Sequence, residues 1–94
     1  MIKVKFFTLL RLMLNIKEVE VDTEKEEITI REVLNIAEKK IGKPFLYKML
    51  NKDGEIMRGT IILINGRNIL HINKLDSVVH NKDIVSLFPP GGGG

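Results

Sequence analysis

Residues 29–42 read TIREVLNIAEKKIG, and both ends of a helix are marked within this segment. Thr29 and Glu32 have the spacing of a capping box, in which each side chain accepts a hydrogen bond from the other residue's backbone N–H. Gly42 suits a left-handed C-cap, a conformation that a Cβ atom disfavours. Apolar residues recur between these ends at helical spacing: Ile30, Leu34, Ala37 and Ile41. The pattern predicts a helix over residues 30–41.

Strand patterns lie on both sides of this helix. Apolar and charged residues alternate over 2–8 and 16–22, which predicts two strands paired as a hairpin with lysines opposite acids. Three further strands are predicted after the helix, at residues 60–64, 69–72 and 84–88. Asn65-Gly66, after the first of these three, is the strongest short hairpin signal in the chain.

The remaining segments are predicted as connections. The segment 11–15 is too long for a tight turn and is partly apolar, so it is predicted as a loop. A short second helix is predicted over 44–50, because a proline suits the first position of a helix. A turn is expected at 51–54, and Leu75 and Val79 are expected to anchor the loop before the last strand.

The predicted order of elements is β-β-α-β-β-β, which indicates the β-grasp fold of the α+β class. In this fold a mixed sheet, here of four to five strands, wraps around one main helix. We expect residues 1–88 to form this domain and residues 89–94 to be a flexible tail.

The tail reads Pro89-Pro90-Gly91-Gly92-Gly93-Gly94 and follows an apolar strand without a polar linker. The prolines remove backbone donors and end the sheet ladder, and the glycines bring no side chain to bury. Fully extended, the tail reaches about 20 Å, far enough to place a terminal carboxylate inside another protein. A frayed terminus, or glycines introduced by cloning, is the alternative. The attachment to an apolar strand favours a working tail whose reactive group is the carboxylate of Gly94.

Composition excludes several classes of function. The chain has no cysteine, which excludes disulfides, thiolate metal sites and a cysteine nucleophile. Its longest apolar runs, such as residues 61–64, are far shorter than a membrane span, and Met1 leads directly into a strand pattern. We therefore expect a cytoplasmic protein without a membrane contact. The net charge of +3 is divided between separate acidic and basic stretches without a recognition motif, so no nucleic-acid partner is expected.

Two phenylalanines are predicted to point away from the core. Phe6 and Phe7 are adjacent on a strand, so only one of them can face inward, and the alternation of the first strand assigns Phe6 to the core. By the same alternation Leu87 faces inward and Phe88 faces outward at the root of the tail. A covering loop is the alternative, but large apolar groups beside a protruding tail predict a docking patch.

No catalytic grouping accompanies this patch. His71 and His80 lie in different predicted elements, and neither belongs to a Ser/His/Asp constellation. We expect no metal site; a site built from the two histidines with Asp76 or Asp83 is the alternative. Arg11 is either a surface charge or an ion-pair donor to a partner.

The opening and the second half of the chain carry a family signature. It consists of Ile2-Lys3-Val4-Lys5-Phe6-Phe7 with Arg11, the run Ile64-Asn65-Gly66-Arg67-Asn68-Ile69, Leu75-Asp76, and Asp83-Ile84-Val85-Ser86-Leu87-Phe88-Pro89-Pro90 with the closing Gly93-Gly94. On these residues the chain resembles the MoaD/ThiS-type ubiquitin-like sulfur-carrier family, and within it most closely the small subunit of molybdopterin synthase.

The resemblance implies a carrier that is not catalytic alone and binds no cofactor itself. Gly94 would be adenylated with ATP by a partner of the ubiquitin-activating type (MoeB/ThiF-like) and converted to a thiocarboxylate. The tail would then insert into a MoaE-like large subunit, and its sulfur would build the dithiolene of molybdopterin. The residues implied in insertion are Pro89, Pro90, Gly91, Gly92 and Gly93. The residues implied in the partner interface are Phe7, Arg11 and Phe88.

The chain departs from the family pattern at two places. Gly91 and Gly92 replace an apolar or small residue and a variable one, and Asn81-Lys82-Asp83 replaces the usual Asp-Gly-Asp turn. Three alternative functions stay open: a protein modifier in which Gly94 is joined to a lysine of a partner, a sulfur carrier for tRNA thiolation, and a module that binds anions or RNA through the basic stretch 39–52.

Overall fold

The computed structural model describes residues 1–91. The strands and α-helices follow in this order: β1 (Ile2–Phe6), α1 (Thr8–Leu14), β2 (Glu18–Val21), β3 (Glu27–Thr29), α2 (Ile30–Ile41), β4 (Ile61–Ile64), β5 (Arg67–Asn68), β6 (Val78–His80) and β7 (Ile84–Phe88). Single 3₁₀ turns cover Leu46–Lys48, Ile69–His71 and Lys74–Asp76. The protein is therefore of the α+β class, as predicted.

Five strands form one mixed sheet in the order β2-β1-β7-β4-β5. Strands β1 and β7 run parallel with Phe6 in register with Leu87, and the other neighbours are antiparallel. Strands β3 and β6 form a separate antiparallel pair. A mixed five-stranded sheet with its main helix confirms the predicted β-grasp fold.

The core lies between one face of the sheet and helix α2. The three interior strands bury alternate side chains: Ile2, Val4 and Phe6 from β1, Val85 and Leu87 from β7, and Ile62 and Ile64 from β4. Helix α2 contributes Ile30, Val33, Leu34 and Ala37. The rings of Phe6 and Phe45 meet edge to face with their centroids 5.2 Å apart, an arrangement that aromatic pairs prefer. Each fully buried side chain of this size contributes about 1.5–3 kcal/mol, so this layer is the main source of stability.

Helix α2 has the bounds and caps that the sequence predicts. The Thr29 hydroxyl accepts a hydrogen bond from the Glu32 N–H at 3.2 Å, and a Glu32 carboxylate oxygen accepts one from the Thr29 N–H at 3.4 Å. Lys25 Nζ donates to the other oxygen of Glu32 at 2.8 Å. Gly42 adopts φ 77° and donates its N–H to the Glu38 carbonyl. The capping box and the glycine C-cap are both confirmed.

The segment after β1 is a helix, which corrects the prediction of a strand over 2–8 followed by a loop over 11–15. Strand β1 ends at Phe6, and α1 begins directly after Phe7, whose backbone is extended. Leu10 and Leu14 are one helical turn apart and both are buried. Because burial of one helical face stabilises a helix that is too short to persist alone, this segment folds only against the rest of the domain.

The pair β3–β6 was not predicted. Each strand has only three residues, which is too short for an alternating pattern to stand out. The central residues Ile28 and Val79 face each other across the pair and are both buried. Leu75 is buried as well, so the expected anchoring of this segment by Leu75 and Val79 is confirmed.

Two predictions in the second half of the chain are wrong in detail. The strand predicted over 69–72 is replaced by the shorter β5 and a 3₁₀ turn, because the Asn68 side chain accepts a hydrogen bond from the Leu70 N–H at 2.9 Å and closes the turn. The helix predicted over 44–50 forms only as the 3₁₀ turn Leu46–Lys48.

The hairpin at Asn65-Gly66 is confirmed and also fastens the sheet. Asn65 and Gly66 adopt φ 50° and 84°, the positive values that a tight two-residue hairpin requires. The Asn65 side chain accepts from the Ile84 N–H and donates to the Asp83 carboxylate, both at 2.8 Å. These bonds tie the β4–β5 turn to the start of β7.

Glu32 provides a pH-dependent test of the α2 cap. Hydrogen bonds from Lys25 and from the Thr29 backbone lower the pKa of the Glu32 carboxyl below its ordinary value of 4.5. A lowered pKa in the folded state means that the carboxylate stabilises the fold above pH 4.5, and that this contribution is lost as the pH falls through the lowered pKa. Glu32→Gln should therefore unfold at a lower temperature than the unchanged chain at neutral pH, and the difference should shrink progressively below pH 4.5.

The matched control is Glu24→Gln, which removes an exposed carboxylate elsewhere and should show no such pH dependence. Thermal unfolding followed by circular dichroism across the acidic range measures both variants. A stability difference for Glu32→Gln that stays constant from neutral to strongly acidic pH would contradict this account.

Candidate functional site

The tail leaves the sheet at the end of β7, and packing continues past that strand. Pro89 is buried and Pro90 is half-buried. Pro90 lies over Gly59, where an added Cβ atom would be 3.5 Å from the Cβ of Pro90. Gly59 has φ 90°, a conformation that residues with a Cβ rarely adopt. The prolines therefore leave along a defined path, and Gly91 is exposed.

Phe7 and Phe88 stack against each other at the root of the tail. Their ring centroids are 4.6 Å apart and their planes differ by 9°. The contact follows from the parallel register, because Phe6 pairs with Leu87 and each of these residues is followed by a phenylalanine. The Phe7 N–H also donates to the Leu87 carbonyl at 3.1 Å. The predicted outward direction of both rings is confirmed, whereas their mutual stacking was not predicted.

Ile61 extends the pair of rings into a row. It lies directly opposite Phe88 on the antiparallel strand β4, and its side chain is exposed. Leu63 follows on the same face and is half-buried, whereas Ile62 between them is buried. Sequence reasoning missed Ile61, although strand alternation at residues 61–64 could have placed it outside. Phe7, Phe88 and Ile61 form what we name the apolar row.

Charged pairs border the apolar row on the same face of the sheet. Lys5 lies opposite Glu18 and Lys3 lies opposite Glu20 in the β1–β2 pairing, as the alternating patterns predicted. Opposite charges across neighbouring strands offset each other and stabilise the pairing modestly, by roughly some tenths of a kcal/mol. This part of the face therefore carries little net charge, and the apolar row is its distinguishing feature.

Arg11 lies on α1, close to the root of the tail. Because α1 follows Phe7 directly, the helix stands at the end of the sheet where β7 also ends. Arg11 is exposed, and within residues 1–91 its guanidinium forms no ion pair. The structure therefore brings Phe7 and Phe88 into contact and places Arg11 on the helix that begins directly after Phe7.

The two histidines lie in different elements of the fold. His80 Nε2 lies 3.3 Å from a Glu27 carboxylate oxygen and His80 Nδ1 lies 3.7 Å from an Asp83 oxygen, on the exposed surface of β6. His71 is exposed in the 3₁₀ turn after β5. Across residues 1–91 no cluster of three or more potential ligands could hold a metal ion.

In the same part of the chain no helix has the length and apolar character needed to cross a bilayer.

The described part of the site provides contact surface and a path for the chain. Its apolar row can exclude water at an interface, and its prolines direct the residues that follow. The predictions for Gly92, Gly93 and Gly94 lie outside the described residues and stay predictions.

Three comparisons with known proteins, by family model, by sequence and by structure, bear on the family of this chain. The family model described as the ThiS family matches residues 4–94. A protein of Archaeoglobus fulgidus assigned as a sulfur carrier is 31% identical over 84 residues, which cover 89% of this chain and 94% of that protein. The solution structure of small archaeal modifier protein 1 of Methanosarcina acetivorans is 30% identical with a TM-score of 0.77, covering 99% of this chain and 95% of the other.

A third relative shares the fold alone. The structure from Pyrococcus furiosus assigned as subunit 1 of a molybdopterin converting factor has a TM-score of 0.66 at 22% identity, over 96% of this chain and 97% of that one. The family match spans nearly all of the sequence and the β-grasp architecture agrees with it, so this chain belongs to the ThiS family of sulfur carriers and ubiquitin-like small modifiers.

Proposed function

We propose that this chain is the small, non-catalytic subunit of a molybdopterin synthase, and that it carries sulfur as a thiocarboxylate on Gly94. The observation that carries the proposal is the position of the apolar row, directly at the root of a tail that has no side chains after Pro90. A carrier needs a docking surface at the base of a thin chain, because the partner must hold the body while the terminus enters a buried site.

The chemistry starts from the terminal carboxyl group. Such a group has a pKa of about 3.3–3.7, so at neutral pH it is an anion and a poor electrophile. In the proposed reaction a carboxylate oxygen of Gly94 attacks the α-phosphorus of ATP and pyrophosphate leaves, which forms an acyl-adenylate. A hydrosulfide equivalent from a sulfur donor then attacks the carbonyl carbon, AMP leaves and the thiocarboxylate forms. The chain has no cysteine, so the sulfur and the catalytic groups come from partner proteins.

Two partners complete the proposal. A MoeB/ThiF-like enzyme of the ubiquitin-activating type uses ATP to adenylate Gly94, and a MoaE-like large subunit receives the tail and transfers the sulfur to the pterin precursor. Glycines from Gly91 onward let a narrow channel close around bare backbone. Arg11, exposed on α1, is the proposed ion-pair donor to an acidic group of the partner.

A ubiquitin-like protein modifier is the second candidate. The 30% identity to a protein named small archaeal modifier protein 1 favours it specifically. In this reading the acyl-adenylate is attacked by the amine of a lysine on another protein, AMP leaves, and an isopeptide bond forms. A sulfur carrier for tRNA thiolation is a related candidate that shares the activation step.

The first prediction for this function concerns the terminus. When the chain is incubated with ATP, a sulfide donor and the adenylating enzyme of the same organism, intact mass spectrometry should show one oxygen replaced by sulfur, mapped to Gly94. Deleting Gly93 and Gly94 should abolish the replacement, because the extended tail is then about 7 Å shorter and its carboxylate cannot reach the active site of the enzyme.

The matched control reverses the charge of Lys39, Lys40 and Lys43, exposed residues in the basic stretch, and should load sulfur normally. Sulfur loading or pterin sulfuration by the truncated chain would contradict the carrier proposal. Adducts on lysines of other proteins would favour the modifier instead. Loss of function in the charge-reversed chain but not in the truncated one would favour the anion-binding module.

The second prediction concerns the apolar row. Phe88→Ala should raise the KM of the adenylating enzyme for the chain by about tenfold, as expected for truncation of an aromatic anchor at an interface. The unfolding temperature should fall only slightly, because the ring lies on the outer face of the sheet and is half-exposed. Val78→Ala truncates an exposed apolar side chain on the separate β3–β6 pair and should leave KM unchanged. Equal KM values for Phe88→Ala and the unchanged chain would show that the apolar row is not part of the interface with the adenylating enzyme.

A further inference from the structure

The glycine tail alone cannot provide specific recognition of this protein by a partner. From Gly91 onward it consists of glycine only, so a binding channel meets backbone and one carboxylate. Specific recognition depends on chemical groups that bind one partner better than another. A glycine backbone is the same in every chain and provides no such groups. An adenylating enzyme that accepts this tail must therefore recognise the folded body near the point where the tail leaves.

Helix α1 presents an apolar face to solvent close to that point. Leu10 and Leu14 turn inward, whereas Leu9, Leu12 and Met13 lie on the other side of the helix, exposed by 46%, 78% and 36%. Tyr47 joins them, since its hydroxyl donates to the Met13 sulfur at 3.6 Å while the residue stays 58% exposed. We name Leu9, Leu12, Met13 and Tyr47 the α1 surface. Several large apolar groups exposed together are uncommon on a surface without a partner.

The topology sets the α1 surface beside the tail. Strands β1 and β7 are parallel neighbours, so they end at the same end of the sheet, where α1 begins at Thr8 and the tail begins at Pro89. Helix α1 has seven residues and is therefore about 10 Å long, half of the tail's extended reach of about 20 Å. Phe7 belongs to the apolar row and is also the N-cap residue of α1. Phe7 therefore links the apolar row to the helix that carries the α1 surface.

The surroundings of the α1 surface are cationic. Helix α1 contains no acidic residue and carries Arg11. Arg11 and Lys17 line a shallow groove of about 280 Å³ beside Leu12. On the other side, Lys48 Nζ lies 5.4 Å from the centre of the Tyr47 ring. The complementary surface is therefore apolar in its centre and carries carboxylates at its rim.

We propose that the α1 surface is the site by which the adenylating enzyme recognises this carrier, through an apolar patch with an acidic rim. The inference rests on the proposed function, because it concerns the enzyme that activates Gly94. It extends the contact from the sheet face, where the apolar row lies, onto the first helix, and assigns the choice of partner to that helix.

The test uses the full chain and the adenylating enzyme of the same organism, with pyrophosphate release as the readout. Leu12→Glu should raise KM for the chain about tenfold or more and leave kcat within about twofold, because the tail is unchanged. Leu12→Lys removes the same apolar group but keeps the sign of charge that the acidic rim favours, so it should raise KM less than Leu12→Glu. Ile72→Glu places the same new charge on an exposed apolar residue outside the α1 surface and should leave KM unchanged.

A second measurement separates this inference from the proposed function. A chain that lacks Gly93 and Gly94 should compete with the unchanged chain for the enzyme, and the same truncated chain with Leu12→Glu should compete at least about tenfold less well. If the unchanged chain is neither adenylated nor bound, the proposed function fails and the inference fails with it. If it is adenylated but Leu12→Glu keeps the original KM, or Leu12→Lys is impaired as strongly as Leu12→Glu, the inference is overturned while the proposed function stands.

Discussion

The parallel pairing of β1 with β7 is the interaction on which the rest of the structure depends. It joins the two ends of the chain, and its register sets Phe6 against Leu87 and therefore Phe7 against Phe88. Because side chains alternate along a strand, a slip of one residue would turn the core side of β7 outward and bury Phe88. The same pairing makes α1 and the tail start at one end of the sheet, so the first helix and the root of the tail are neighbours.

Several local forces hold this register. Hydrogen bonds from the Lys3 N–H to the Asp83 carbonyl and from the Phe7 N–H to the Leu87 carbonyl, each 3.1 Å long, bracket the pairing at its two ends. The Asn65 side chain ties the neighbouring hairpin to the start of β7. Alternate burial on both strands adds the larger contribution, because a shift by one residue would expose the core side chains of the shifted strand.

Body and tail divide the work of a carrier between them. In the proposed function, the folded body provides recognition through the apolar row and the α1 surface, and the glycines provide reach without side chains that a channel would have to accommodate. The proposed division would let a protein without a cysteine take part in sulfur chemistry, because the chain would contribute an acyl group and a recognition surface while partner proteins carry out the activation. Next to the row, lysines lie opposite acids, so in the proposed interface the apolar contacts would contribute most of the affinity.

By itself the sequence determined helix α2 with both caps, the hairpin at Asn65-Gly66 and the outward direction of Phe7 and Phe88, because these depend on hydrogen bonds within a few residues and on strand alternation. It did not predict α1 or the β3–β6 pair, whose few residues become ordered only when their apolar side chains meet the assembled core. Only the tertiary structure decided that the two rings stack, that Ile61 completes their row and that α1 borders the tail. These contacts join segments from opposite ends of the chain, and no local pattern encodes a register between distant strands.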